Sequence, residues 1–118
     1  MIIHFNRPHE GPQLIHLQYW SIREFEGGSR HLVGHSLETF EGRVSTALVA
    51  LDAESFTAVT QSGRRYILVG PSGFDSDGDY VWNIVAPIIG NGQPWRDVTE
   101  EVMPGSRRRR TMRLSADT

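Results

Sequence analysis

Between residues 14 and 69 the chain alternates apolar, aromatic and β-branched residues with polar ones in short runs, and glycine or acidic residues close most runs. A repeat of two marks strands, because successive side chains leave a pleated backbone on opposite sides. Leu14 to Phe25 is the first, with Trp20 and Ile22 on one face and Tyr19, Arg23 and Phe25 on the other. Gly27-Gly28 accepts the positive φ angles of a tight hairpin turn. A second strand runs from Arg30 to Phe40, and Gly34 inside it marks a bulge or a bend. Past Glu41-Gly42-Arg43, Val44 to Leu51 is apolar on both faces and reads as a central, covered strand. Asp52-Ala53-Glu54 turns the chain into Phe56, Ala58 and Thr60, and Gln61-Ser62-Gly63 leads to a fifth strand, Arg64 to Val69. Consecutive strands on short turns predict a five-stranded antiparallel meander. The bend in strand two and the double burial of strand three predict that it rolls into a small, partly open barrel. The predicted class is mainly β, with α+β as the other class left open.

The pattern then changes. Gly70 to Asp79 is a loop, after which Val81, Ile84, Val85 and Ile88 follow the three-four spacing of a helix face. Asp77 or Asp79 is placed to cap that helix, and Pro87 argues for a short one. Tyr80, Trp82 and Ile84 also alternate, which keeps a sixth strand open at residues 79–89. Residues 90–97 read as loop, with Trp95 and Val98 tacking the segment onto the core. The predicted organisation is an irregular lead-in over 1–12, one β-rich domain over 13–103, and a basic, disordered tail over 104–118.

Length changes the picture little: 118 residues make one domain. The chain holds no cysteine, which removes disulfides, thiolate metal sites and cysteine nucleophiles and suits a reducing compartment. Neither a secretory signal nor a membrane-length apolar run is visible, so a cytoplasmic, membrane-free protein is predicted. Charge is unevenly placed. All 12 basic residues are arginine, and residues 1–104 hold seven of them against 13 acids, a net of −6, whereas the remainder carries five against Asp117, a net of +4. An acidic body repels a phosphate backbone and suits a basic protein partner.

Candidate chemistry is sparse. Asp75, Asp77 and Asp79 have the one-three-five spacing of a calcium loop, but Tyr80 and Ala86 replace the glycine and glutamate that such a loop needs, which leaves a solvated turn and helix cap. His31 and His35 share a strand face and His16 lies on the neighbouring strand, a zinc set only if the register brings them together. No nucleophile elbow, Walker loop or dinucleotide fingerprint is present, so no catalytic residues, metal or cofactor are predicted. The candidate binding residues are Asp75, Asp77, Asp79, Arg64, Arg65, Tyr66 and Trp82, with Trp95 as a second anchor. Tyr19, Phe25 and Tyr66 beside Arg23, Arg64 and Arg65 would make a base-stacking surface, and Arg107, Arg108, Arg109 and Arg110 would grip phosphates.

Tyr19-Trp20-Ser21-Ile22, Leu32-Val33-Gly34-His35 and Ser62-Gly63-Arg64-Arg65-Tyr66 resemble a loose group of short bacterial proteins of unknown function. These share a Trp-x-Ile strand, a Leu-x-Gly-His strand and a Ser-Gly-Arg-x-Tyr hairpin. The resemblance spans residues 19 to 70 and implies turns rather than an activity. In size and acidity the chain is also similar to phage- and plasmid-encoded inhibitors, anti-CRISPR proteins among them. The predicted function is a non-enzymatic binding protein that occupies a basic surface of a protein partner. The alternative is a small-barrel nucleic-acid-binding protein. Exposed strand edges leave room for a homodimer.

Overall fold

The computed structural model describes residues 14–110. The lead-in predicted for 1–12 and the tail residues 111–118 lie outside the described residues. The chain runs β1 (Leu14–Phe25), β2 (Arg30–Ser36), β3 (Gly42–Val44), β4 (Leu48–Asp52), β5 (Thr57–Thr60), β6 (Arg65–Val69), α1 (Ser76–Ile89), β7 (Trp95–Asp97) and α2 (Thr99–Val102), then a 3₁₀ turn at Ser106–Arg108. The fold is mainly β with one main helix, as the alternation predicts.

The barrel and the simple meander need correction. All seven strands form one sheet in the order β3-β2-β1-β6-β5-β4, with β7 beside the end of β1, and it does not close into a barrel. β1 is central: β2 runs antiparallel along one side, while β6 lies parallel to its first half and β7 antiparallel to its last residues. The predicted third strand is divided into β3 and β4 by Ser45–Ala47, and Ser45 ties back by donating its N–H to Leu32 O at 2.9 Å. β4 is an edge strand rather than a covered one, with Val49 65% exposed. β2 stops at Ser36, because Phe40 N–H donates to Ser36 O at 2.8 Å and closes a turn instead of extending the strand.

One irregularity in β1 decides how the sheet is used. The register with β2 passes from Gln18↔His35 to Ser21↔Val33, so β1 holds one extra residue there. Tyr19, at φ 51°, is that bulge. Before it Ile15 and Leu17 point inward; after it Trp20 and Ile22 do. These join Leu32, Tyr66 and Leu68 inside the curl of the sheet, under Val98 and Met103. Trp20 is fully buried and donates its indole N–H to Gly70 O at 3.2 Å.

The outer side of the sheet is treated differently along its width. Over β2 and β3 it is covered by α1, whose Val81, Trp82, Val85 and Ala86 pack on Phe25, Val33 and Val44. Burying each large side chain there contributes roughly 1.5–3 kcal/mol. Helix and sheet meet closely because glycines face each other. A side chain on Gly42 would collide with the Asp77 backbone, and one on Gly78 would stand 2.7 Å from Gly34 O. Over β1's first half, β6, β5 and β4, the outer side is bare of helix. Cross-strand register there aligns Leu14, Arg65, Val59 and Ala50 in one row, and His16, Ile67, Thr57 and Asp52 in the next.

α1 is longer than Pro87 predicts: the proline falls in its last turn, where one missing donor costs little before Gly90 ends it. The sixth-strand alternative over 79–89 gives way to this helix. Part of the loop predicted for 90–97 forms β7. The ordered body also continues past Pro104 to Arg110. Among the described residues, no helix is long and apolar enough to cross a membrane.

Candidate interaction face at the long helix

The start of α1 gathers charge and exposed rings. Asp75, extended at φ −123°, is the N-cap, accepting the Gly78 N–H at 2.7 Å through Oδ2. Neither Asp77 nor Asp79 caps; both sit in the first turn, where the helix dipole favours negative charge. Asp75 Oδ1 lies 3.9 Å from His35 Nδ1. With Asp77 these residues bring one ligand atom each to within 4.8 Å of the others. The set could hold a cation, but one carboxylate oxygen is already engaged, and the helix end opposes a bare metal ion with its own positive partial charge. Asp75 Oδ1 already faces His35, whereas Asp77 is exposed and open to a cationic side chain arriving from outside.

Aromatic rings stand around this cluster. Phe40 is 73% exposed, with its ring 6.4 Å from His35, and Phe74 is 64% exposed. Tyr19, at the bulge, is half-exposed and borders the Gly73-Phe74 turn, where Gly73 N–H donates to Trp20 O at 2.9 Å. Tyr19 and Phe40 (φ 58°) both hold left-handed backbone that costs aromatic residues roughly 1 kcal/mol or more, and neither ring is buried in return. Down the outward side of α1, Tyr80, Ile84 and Ile88 form one row at spacing four, 57%, 40% and 75% exposed. The helix is therefore apolar on the side that packs and on a row that faces solvent. Such a helix normally has cover on both.

The other predicted site residues disperse. Asp79 turns from the acidic loop to Arg23, whose Nη1 donates to Oδ1 at 2.9 Å. The Arg23 guanidinium lies between Trp82 and Trp95, 5.4 and 4.8 Å from their rings. Trp82 is not a surface anchor: it is fully buried, stacked on Phe25 at 5.2 Å, while Trp95 closes the group edge-on and stays 41% exposed. Arg64 and Tyr66 are also buried, and the Tyr66 hydroxyl accepts from Arg43 Nε at 3.0 Å. Of the six residues in the predicted stacking surface, only Tyr19 and Arg65 are exposed; Arg23 and Arg64 are buried, and Phe25 and Tyr66 belong to the two cores.

His16, His31 and His35 do not converge. His16 pairs with Glu38, Nδ1 to Oε2 at 2.6 Å. Burial works to raise the Glu38 carboxyl, but hydrogen bonds from the His16 ring and backbone N–H outweigh it and hold the group below its ordinary value. His31 is buried behind Phe25 with Nδ1 2.9 Å from Ser45 O; burial lowers its pKa, and that hydrogen bond offsets part of the shift. The arginine cluster is divided as well. Arg107, Arg108 and Arg110 are exposed, whereas Arg109 folds over Phe56 at 3.6 Å and donates to Leu68 O and Gly70 O at 2.7 and 3.1 Å.

Phe40, Phe74, Ile84 and Ile88 were missed as site residues from the sequence, and His35 was weighed only as a zinc ligand with His16 and His31. The three-four spacing put Ile84 and Ile88 on the packing face, but Trp82 and Ala86 pack there with Val81 and Val85, and both isoleucines stay exposed. Compared with known protein families, curated proteins and solved structures, the chain matches none of them.

Proposed function

We propose that this is a non-enzymatic binding protein that occupies a basic surface of a protein partner, acting as an inhibitor of the kind mobile elements encode, as anti-CRISPR proteins are. One observation carries it: the uncovered row Tyr80–Ile84–Ile88 runs away from an acidic helix start, and α1 bears no base to balance it. A partner contributing apolar side chains along the helix and an arginine or lysine at Asp77 would satisfy both features. Burial of the apolar row supplies affinity, and the carboxylates supply orientation and a faster encounter.

Affinity capture from a bacterial lysate, read by mass spectrometry for protein and by absorbance for nucleic acid, tests this with the full chain as bait. A partner whose contact surface is basic should be recovered, and Asp77→Lys should lose it. Retention of nucleic acid with no protein would overturn the proposal.

A nucleic-acid role is the second reading, favoured by the exposed Arg107, Arg108 and Arg110. Fluorescence anisotropy with short oligonucleotides at two salt concentrations separates it. Affinity that falls steeply with salt and is lost in the Arg107→Glu/Arg108→Glu variant would support this alternative.

A further inference from the structure

The bare half of the sheet's outer side differs in chemistry from the helix face. Leu14, Ala50, Val59 and Ile67 floor a depression of about 460 Å³, and Arg65 and Asp52 stand at its rim. The floor is genuinely open: Leu14 is 43% exposed and Ala50 is exposed at the sheet edge. Arg65 makes no ion pair among the described residues. Asp52 accepts the N–H groups of Glu54 and Ser55 through Oδ1, at 2.9 and 3.3 Å, and its carboxylate stays exposed to an outside donor.

Charge selects the occupant. Residues 1–104 carry a net −6, so most surfaces of this body repel a second copy of it. The helix face carries only acids at its start, and a two-fold copy there would set acid near acid. The sheet patch holds one base and one acid around an apolar floor, so its net charge is zero. A patch of that kind is complementary to itself under a two-fold axis, the symmetry of an isologous dimer. We propose that the chain forms a homodimer through this face, floor against floor, with Arg65 of each protomer beside Asp52 of the partner subunit. The dimer leaves the helix face of each protomer free, so it stands apart from the proposed partner binding.

Sedimentation velocity on the full chain across the micromolar range tests it. The wild type should dimerise, and Arg65→Asp and Asp52→Arg should each raise the dissociation constant about tenfold or more. An equimolar mixture of the two variants should recover the dimer, because each supplies the sign the other lacks at both contacts. Circular dichroism on each variant separates lost association from lost fold. The Arg65 side chain makes no ion pair among the described residues, so Arg65→Asp decides the matter alone if Asp52→Arg disturbs its turn. A wild type that stays monomeric throughout, or a dimer whose constant Arg65→Asp leaves unmoved, overturns the proposal and assigns the patch to another occupant.

Discussion

The two halves of the sheet's outer side are built from the same kinds of residue and end in opposite states. Over β2 and β3, glycines at 34, 42 and 78 let α1 settle onto the strands, and Trp82 fills the space with Phe25 and Val33. Over β6, β5 and β4 the outward residues are nearly as apolar, yet no helix reaches them. Cover on the first half moves exposed apolar surface outward onto the helix, where it sits beside acids. On the second half the surface stays on the strands, beside one acid and one base. The difference teaches that docking a helix does not remove an interaction surface. It relocates the surface and changes its charge.

The strongest way to break this contrast is Trp82→Ala, which should cost about 4 kcal/mol. Hydrogen exchange should show α1 and β7 losing protection first, while β4, β5 and β6, packed on the other core, keep theirs; uniform loss would mean that the halves are a single cooperative unit. Gly42→Ala should cost about 2–3 kcal/mol in urea unfolding, since helix and strand must separate to admit the methyl group. Unchanged stability would show that the close contact is not needed.

Phe40→Gly should act in the other direction. Relief of the left-handed backbone should stabilise the fold by about 1 kcal/mol, while loss of the exposed ring should weaken partner binding. A variant that is more stable and binds as well would remove Phe40 from the helix face. Ile88→Asp should leave stability within about 0.5 kcal/mol, because the side chain is mostly in solvent, and reduce partner affinity without touching dimerisation.

Acid should distinguish the halves most gently. His31, on the helix side, has a lowered pKa in the fold. The unfolded chain therefore binds its proton first as pH falls through about 6.5, and stability declines from there until the folded pKa is passed. Glu38, tied to His16 on the strand side, is also depressed, so its contribution is present above the unfolded carboxyl value and is lost only at lower pH, as pH falls through the folded pKa. Urea midpoints between pH 8 and pH 4 should show the first decline in the wild type and not in His31→Gln.

Much of the β reading was legible because alternation is local: β1 spans the residues its pattern marks, and the β1–β2 and β5–β6 turns fall where their glycines predict. The site was far less legible. Asp75 and Asp77 were visible as an acidic loop, but their partner His35 comes from β2, 40 residues away, and nothing in spacing links them. Arg64, Tyr66 and Trp82 looked like binding groups because aromatic and cationic residues serve cores and surfaces equally well. Their burial depends on which neighbour arrives. The both-face burial read into Val44–Leu51 failed for the same reason, since an apolar strand does not state whether anything covers it.

By itself the sequence determined the mainly β class with one main helix, the extent of β1, the β1–β2 and β5–β6 turns and the separation of acidic body from basic end, all set by residues close in the chain. Only the tertiary structure decided that β6 returns parallel to β1, that the Tyr19 bulge exchanges the inward residues of β1 midway, and that α1 covers one half of the sheet and leaves the other open. Those outcomes are contacts between distant segments, whose energies depend on shape and on competition for the same surface, and neither is written in the order of residues along a strand.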